Sequence, residues 1–227
     1  MRDHVPRVLS FNGGLTDTVG FLALQGLFTA HVTGNFVTLA AALALGTSGA
    51  ITKLLALPVF CSVILALRLT AHRFFQPDWP SLPTALTLEG GLLAASAAIG
   101  IRFGPFLNTD SPAPMTTGLL LVAAMAIQNA VHRVHLGSAP PSTIMTGTTT
   151  QLMLDLADRW SGRPGAAPTA THQRMRDMGI AVACFAGGAA VAAGPFVKVG
   201  KWCFLAPPVV VVVARLLSDQ RMGGAAR

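Results

Sequence analysis

The chain is poor in charged residues. Asp, Glu, Lys and Arg make up only 11% of its 227 residues, whereas roughly a quarter of the residues of a soluble domain are charged. Hydrophobic residues account for 52% of the sequence, and the mean hydropathy is +0.58. The shortage of charge therefore excludes an ordinary water-soluble protein and indicates an integral membrane protein whose main partner is the lipid bilayer.

Cysteine is scarce as well. The three cysteines, Cys61, Cys184 and Cys203, form no CxxC pair. An odd number at these spacings provides neither a disulfide framework nor a zinc site. His132 and His135 would share a helix face, but no third ligand lies near them in the sequence. We therefore expect neither a bound metal nor another cofactor.

Basic runs and catalytic motifs are absent from the sequence. The formal net charge is +7, but Lys and Arg lie between the apolar stretches and not in a basic run interleaved with aromatic residues. This distribution argues against nucleic acid as a partner. The sequence contains no HExxH, GxSxG, Walker A or dinucleotide-binding motif, so we do not expect an enzyme.

The sequence does contain a series of apolar stretches of membrane-spanning length. A helix needs about 20 mainly apolar residues to cross a bilayer, and six stretches approach this length: 8–29, 53–74, 83–103, 115–132, 176–197 and 201–217. Two further helical segments, 33–47 and 144–158, would span only about 22 Å at 1.5 Å per residue, less than the hydrocarbon thickness of about 30 Å. We expect an all-α, polytopic bundle of about six spans with two short broken or re-entrant helices.

The two short segments could either re-enter or cross the bilayer. Re-entry places 12 Lys and Arg residues inside and 4 outside, whereas crossing places 11 inside and 5 outside. The positive-inside rule therefore leaves both topologies open. The shortness and polarity of the segments favour re-entry.

The apolar stretches form two similar halves of a single membrane domain, 1–227. Half 1 covers about 8–103 and half 2 about 115–217, and a Pro/Gly-rich, basic linker, about 159–175, is expected on the cytoplasmic side. Each half contains a polar span, a Thr-Gly break, a short helix and two more spans. With re-entrant short helices the halves are inverted, which is typical of transporters with a binding site at the bilayer midplane.

The Thr-Gly breaks are the first candidate site. They consist of Thr33, Gly34 and Asn35 in half 1 and Thr146, Gly147 and Thr148 in half 2. Glycine lets the backbone leave helical geometry, and Thr33 is expected to cap the next helix. A helix N-terminus carries about half a positive charge, so the two breaks could hold an anion or a polar solute. The alternative is that they only cap buried helices.

Polar residues within the spans are the second candidate site. Asp17 lies near mid-depth of the first span, where a charge costs at least about 2.5–3.5 kcal/mol. The repeat places Asn129, beside Gln128, at the equivalent point of half 2. We expect Asp17 to couple protons and Gln128 and Asn129 to bind the solute by hydrogen bonds. The alternative is that these side chains only hold helices together.

Three other ionisable residues rank below Asp17. Glu89 in the third span and Asp155 in the second short helix are expected nearer to an interface. His31 precedes the first break, where it could gate protons or lie at an interface.

Four motifs identify a family resemblance. They are GLTD (14–17), FTAHVTGN (28–35), AIQNA (126–130) and TIMTGT (143–148). In these motifs the chain resembles the YoaK-like bacterial inner-membrane proteins, although Ala126 stands where that family leads us to expect glycine. The resemblance implies about six spans and a multi-pass location in the bacterial inner (plasma) membrane. The family is uncharacterised, so the resemblance implies no substrate.

Together, these features favour a small-solute membrane transporter with a polar midplane site at paired Thr-Gly helix breaks. The alternative is a membrane scaffold or regulatory protein without transport activity, and a passive channel also stays open. A small polar or anionic solute is the expected ligand, and a second copy of the chain is a candidate partner. The expected solute-binding residues are Asp17, Thr33, Gly34, Asn35, Gln128, Asn129, Thr146, Gly147 and Thr148.

Overall fold

The computed structural model describes residues 4–74, 79–161 and 168–225. Within them the secondary structure is helical, with no β-strand. The α-helices are α1 (Val5–Ala23), α2 (Asn35–Leu45), α3 (Ala50–Phe74), α4 (Leu82–Phe103), α5 (Pro112–His135), α6 (Met145–Trp160), α7 (Pro168–Val199) and α8 (Ala206–Ala225). Two 3-10 segments, Val32–Gly34 and Gly200–Leu205, precede α2 and α8. The predicted all-α class is therefore confirmed.

The predicted stretches correspond one to one with these helices, but several boundaries differ, most of all at the end of α1, at the start of α7 and at both ends of α8. The first span was expected to continue to residue 29, whereas α1 ends at Ala23 because Gln25 and Gly26 adopt positive φ angles of 51° and 86°. The linker predicted at 159–175 is too long, since α6 continues to Trp160 and α7 begins at Pro168. Residues 162–167 of that linker lie outside the described residues.

In the part of the chain that the structure describes, four helical stretches are long and apolar enough to cross a membrane. They are Ala50–Ala71, Leu82–Phe103, Pro112–His135 and the 51-residue stretch Ala170–Gln220, which contains most of α7 and α8. The last stretch is divided by the 3-10 segment Gly200–Leu205, where Gly200 has a φ of 56° and the chain turns back. The molecule is therefore a polytopic helical membrane bundle.

The helices run between two ends of the bundle. We call the end at which α1 begins the lower end and the end at which it finishes the upper end. At the lower end, His135 at the finish of α5 lies with Nε2 2.8 Å from the carbonyl oxygen of Pro80, just before α4. Arg7 of α1 lies 3.6 Å from Asp177 of α7 at the same end.

The upper end contains the starts of α3, α5 and α8. The Thr52 hydroxyl of α3 donates to the carbonyl of Thr109, just before α5. Lys201, just before α8, donates to the carbonyl of Gly104, just after α4. It follows that α1, α4 and α7 run upward, whereas α3, α5 and α8 run downward.

The segments that contain the short helices begin and end at the same end of the bundle. Residues 24–49 leave from the upper end and return there, because Ser48 donates to the side chain of Gln25 (2.6 Å). Residues 136–160 leave from the lower end, where α5 finishes. They return to the same end, because Arg159 near the end of α6 contacts His172 near the start of α7 (3.0 Å). The two segments therefore enter the bundle from opposite ends.

The helix contacts of α1, α2 and α3 resemble those of α5, α6 and α7. α1 packs on α7 and α8, while α5 packs on α3 and α4. Likewise α2 packs on α3, while α6 packs on α7. α1 and α5 form the buried centre, because Asn12, Thr16 and Gln128 are all 0% exposed. These polar side chains face protein and not lipid, which removes the cost of placing them in hydrocarbon.

Candidate functional site

Asp17 is a buried acid that binds the backbone just before the first break. Its Oδ1 accepts hydrogen bonds from the N–H groups of Thr29 (2.7 Å) and Ala30 (2.8 Å). Its Oδ2 lies 2.6 Å from Nδ1 of His31. Asp17 therefore holds residues 29–31 against α1, six residues before α1 ends. Both of its oxygens are occupied by the protein.

His31 is the partly exposed titratable residue that is hydrogen-bonded to Asp17. Its side chain is 37% exposed, and its ring packs edge-on against Phe28 and Phe185, with centroid distances of 6.2 and 5.6 Å. When Nδ1 donates its hydrogen to Asp17, Nε2 is left as an acceptor, and protonation turns Nε2 into a donor. Among the described residues, Nε2 has no hydrogen-bond partner.

Asp17 and His31 line an open cavity of about 560 Å³ beside the first break. Its other lining residues are Thr18, Phe21, Phe28, Thr33, Gly34 and Phe185. Small-molecule sites are mostly apolar cavities of roughly 300–1,000 Å³ with a few placed polar groups. Three phenylalanines beside a carboxylate, an imidazole and two hydroxyl groups match that composition.

Within the first break, Thr33 and Gly34 lie in this cavity but Asn35 does not. The side chain of Asn35 is buried, and it accepts a hydrogen bond from the Phe28 N–H (2.9 Å) while donating to the Phe28 carbonyl (2.7 Å). Asn35 thereby fastens the start of α2 to the preceding loop. The expected capping by Thr33 is wrong, because Gly34 is the N-cap residue of α2 and no side chain caps it.

The amides predicted in half 2 are engaged with the protein itself. Gln128 donates to the Leu9 carbonyl (3.1 Å) and to the Ser142 hydroxyl (3.2 Å). Asn129 accepts from the Thr143 hydroxyl (2.6 Å) and donates to the Met125 carbonyl (2.8 Å). Neither side chain lines the cavity beside the first break.

Asn129 and Thr143 form a pair that is similar in spacing to Asp17 and His31. In each pair the second residue follows the first by 14 positions, and in each the two polar atoms are 2.6 Å apart. Both pairs hold the loop before a short helix against the first helix of its half. The Asn129–Thr143 pair therefore has the spacing and the distance of the Asp17–His31 pair, with neutral groups.

The second break lies apart from the first. Thr146 lines a separate open cavity of about 640 Å³ with Thr149, Thr150 and other α6 residues. Gly147 has open space where a Cβ would lie. Thr148 is buried and donates to the Ile144 carbonyl (3.2 Å). The two breaks therefore line different cavities, and the nine predicted residues do not form one site in this conformation.

A polar cluster at the centre of the bundle was missed by the sequence analysis. Asn12 donates to Glu89 (Oε1, 3.1 Å) and to Gln128 (Oε1, 2.8 Å), and all three residues are 0% exposed. Glu89 is therefore buried in protein, whereas its depth relative to the membrane interface stays a prediction. Asn12 is visible in the sequence as an amide that interrupts the apolar first span, but the sequence does not indicate its partners.

Asp155 is buried as well, and it forms a structural ion pair. It is 4% exposed and accepts from Arg174 Nε at 2.9 Å and Nη2 at 2.5 Å. This two-bond geometry is a strong form of the Arg–carboxylate contact. The pair attaches α6 to α7. Across the described residues, His, Cys, Asp and Glu form no group of three or more that could hold a metal ion.

Two comparisons with known proteins match the chain. A family described as "Protein of unknown function (DUF1275)" matches residues 5–217. The "UPF0700 transmembrane protein YoaK" of Bacillus subtilis (strain 168) is 34% identical over 164 residues, which cover 70% of this chain and 68% of that protein. No solved structure matches the chain.

Proposed function

The chain belongs to the DUF1275 family of transmembrane proteins of unknown function, and from this premise we propose that it carries a small polar or anionic solute across the bacterial inner membrane. The observation that carries the proposal is the open cavity in which Asp17 and His31 meet the first break. Within a bilayer, non-helical backbone is tolerated only where it is buried in protein or lines a water-filled cavity. Here part of the break does line a cavity.

The chemistry of the cavity supports a polar or anionic solute. Protonated His31 would donate from Nε2, and the Thr33 hydroxyl would supply a second polar contact. Phe21, Phe28 and Phe185 form apolar walls that exclude water from the rest of the ligand. Asp17 orients the imidazole and does not itself contact the solute, since both of its oxygens already accept hydrogen bonds.

We further propose that the two halves are inverted repeats with re-entrant short helices. Three observations support this: α1 and α5, α3 and α7, and α4 and α8 run in opposite directions; the helix contacts of the halves are matched; and the anchoring bonds occur at the same spacing. Inverted repeats with discontinuous helices are characteristic of carriers that expose one site alternately to each side of the membrane.

The inverted arrangement predicts the accessibility of single cysteines. In a variant in which the three native cysteines are replaced by serine, Thr47→Cys and Ser138→Cys are expected to react with a membrane-impermeant maleimide from opposite sides of the membrane. Thr47 lies at the upper end and Ser138 at the lower end, and both side chains are exposed. Asp110→Cys, also at the upper end, is the matched control for Thr47. Labelling of Thr47→Cys and Ser138→Cys from one side would contradict inversion.

Solute binding at the cavity is tested by comparing the wild type with His31→Gln. Purified protein is screened with amino acids, monocarboxylates, sugars and phosphate, and the unfolding temperature is measured. We expect one class of solute to raise the unfolding temperature of the wild type. In His31→Gln this rise should shrink by at least nine-tenths, because glutamine cannot become a cation that donates to the solute. His172→Gln, an exposed histidine at the lower end, is the control and should respond like the wild type.

Flux into liposomes then separates a carrier from a channel. A proton-coupled carrier concentrates the stabilising solute when a pH gradient is imposed, whereas a passive channel only equilibrates it. If His31→Gln is stabilised by the solute as strongly as the wild type, the cavity beside the first break is not the binding site.

A membrane scaffold is the second candidate function, and a specific observation favours it. The amides of Asn35, Gln128 and Asn129 bond to the chain itself and leave little for a ligand. A scaffold predicts that no solute class stabilises the wild type, although replacing these residues lowers its stability. The solute screen therefore distinguishes the two functions.

A further inference from the structure

We propose that Glu89 is the proton-carrying residue of the transport cycle. Glu89 is the only glutamate of the chain, and it lies seven residues after the first residue of α4, about 10 Å along the helix axis. It is 0% exposed. This inference rests on the proposed carrier function for its role, but its first test requires no transported solute.

The hydrogen bonding of Glu89 is incomplete. Its Oε1 accepts one bond from Asn12 (3.1 Å), while Oε2 is buried and has no partner among the described residues. A carboxylate with one hydrogen bond in a dry interior is strongly disfavoured against the neutral acid. A proton on Oε2 removes the charge, so the geometry points to a protonated Glu89 in this conformation.

No cation in the described residues pairs with Glu89. On the helices packed against α4, His132 of α5 lies with Nε2 3.2 Å from the Ala139 carbonyl, and Arg215 of α8 bonds to Thr87 and pairs with Asp219. Among the other described side chains on elements packed against α4, Arg133 and His135 lie at the lower end, and Lys201 and the buried thiol Cys203 lie at the upper end. Asp17 on α1 is held by Thr29, Ala30 and His31. Among the described residues, therefore, no positively charged side chain is placed to neutralise an ionised Glu89 in the absence of a bound proton.

Glu89 is better placed than Asp17 for reversible protonation. Asp17 was expected to couple protons, but its two oxygens accept bonds from two backbone N–H groups and lie against His31. Protonating Asp17 would break part of that arrangement. Glu89 can gain or lose its proton without breaking a comparable set of bonds, because within the described residues Asn12 is its single hydrogen-bond partner.

The cluster offers a physical link between the proton and the two halves. The Nδ2 group of Asn12 bridges Glu89 and Gln128, and Gln128 in turn bonds to Ser142 in the loop before the second break. When Glu89 releases its proton to water on one side, the resulting buried carboxylate requires more donors than the single Asn12 amide hydrogen it receives. Proton loss would thus favour a rearrangement of the helices around this cluster that brings water or a further donor to Glu89.

The single glutamate allows the protonation state to be measured in the wild-type chain. The protein is made by cell-free synthesis with glutamate labelled with ¹³C at the side-chain carboxyl, reconstituted in liposomes and studied by solid-state NMR from about pH 5 to about pH 8, a range in which an exposed glutamate is mostly ionised. We expect the neutral-acid signal at pH 7, and an unchanged signal in Asp17→Asn. A carboxylate signal at pH 7, or a signal that responds to sodium and not to pH, would overturn the proposal.

The role in transport is tested with the solute found by the stability screen. Glu89→Gln mimics the neutral acid. In this variant, solute accumulation driven by a pH gradient is expected to fall at least tenfold, whereas solute exchange is retained. Unchanged accumulation would show that Glu89 does not couple protons. If no solute is transported at all, the carrier function fails, whereas the NMR result on Glu89 still decides whether it holds a proton.

Discussion

Replacing Gly188 with alanine is expected to lower the free energy of unfolding by about 3 kcal/mol or more, the upper part of the range for overpacking a core. A Cβ built at Gly188 would lie 2.0 Å from the carbonyl oxygen of Phe11 and 2.9 Å from the backbone nitrogen of Leu15. Both atoms belong to the backbone of α1, so no side-chain rotation can relieve the overlap. The helices α1 and α7 would have to separate.

The same interface provides a reciprocal test. A Cβ at Gly14 of α1 would lie 2.0 Å from the carbonyl oxygen of Phe185 in α7, so Gly14→Ala should destabilise the protein to a similar degree. Unfolding in increasing denaturant, in a fixed mild detergent, measures both effects. Because the two substitutions act on one interface, the double variant should lose less stability than the sum of the single losses.

Gly194→Ala in α7 is the matched control. No atom lies within 4 Å of a Cβ at that position, and alanine favours a helix over glycine by up to about 1 kcal/mol. The control is therefore expected to be neutral or stabilising. Equal losses in Gly188→Ala and Gly194→Ala would contradict the close approach of α1 and α7.

Replacing Asp17 with alanine is expected to lower the free energy of unfolding by about 2–6 kcal/mol, since each buried donor without a partner costs about 1–3 kcal/mol. Alanine removes the acceptor for the N–H groups of Thr29 and Ala30, which are 0% and 7% exposed. It also releases the ring of His31. The loop before the first break would then detach from α1, and the cavity would lose its polar wall.

Asp17→Asn separates the hydrogen bonds from the charge. The asparagine oxygen can still accept from Thr29 and Ala30, so this variant should lose less than half as much stability as Asp17→Ala. Hydrogen exchange at the amides of Thr29 and Ala30 measures the local effect. The exchange rate should rise strongly in Asp17→Ala and weakly in Asp17→Asn. If the two variants lose equal stability, the charge and not the backbone contact holds the loop.

Several features of the fold follow from the sequence because they depend on local composition. A membrane-spanning helix must be about 20 residues long and mainly apolar, so hydropathy and length predict the helices and their order. The two short helices were predicted by the same argument, since each is too short to cross alone. The Thr-Gly breaks were found because glycine and threonine interrupt apolar runs.

The ends of the helices were less accurately predicted. Nothing in the apolar pattern indicates that α1 ends at Ala23, because the residues that follow are also largely apolar. The end is set by the positive φ angles at Gln25 and Gly26 and by the return of residues 29–31 to Asp17. Helix ends are thus decided by backbone turns that apolar side chains do not reveal.

The partners of the polar side chains were not predictable. Asn12 and Gln128 are separated by 116 positions, and Asn12 and Glu89 by 77, so their contacts exist only when three helices cross. For the same reason, the sequence does not indicate that the Asn35 side chain is hydrogen-bonded to the Phe28 backbone, whereas Thr33 lines the cavity.

The amino-acid sequence by itself determined that this protein is a helical membrane protein with two polar breaks, because the bilayer imposes length and hydropathy on each segment separately. The tertiary structure alone decided which glycine lies at a helix contact. Gly188 and Gly194 belong to the same helix, but of these two only Gly188 packs against the backbone of α1. The tertiary structure also decided that Asp17 anchors a loop and that Glu89 is buried without a second partner. These outcomes depend on how helices distant in sequence pack together, and packing is a property of the whole chain.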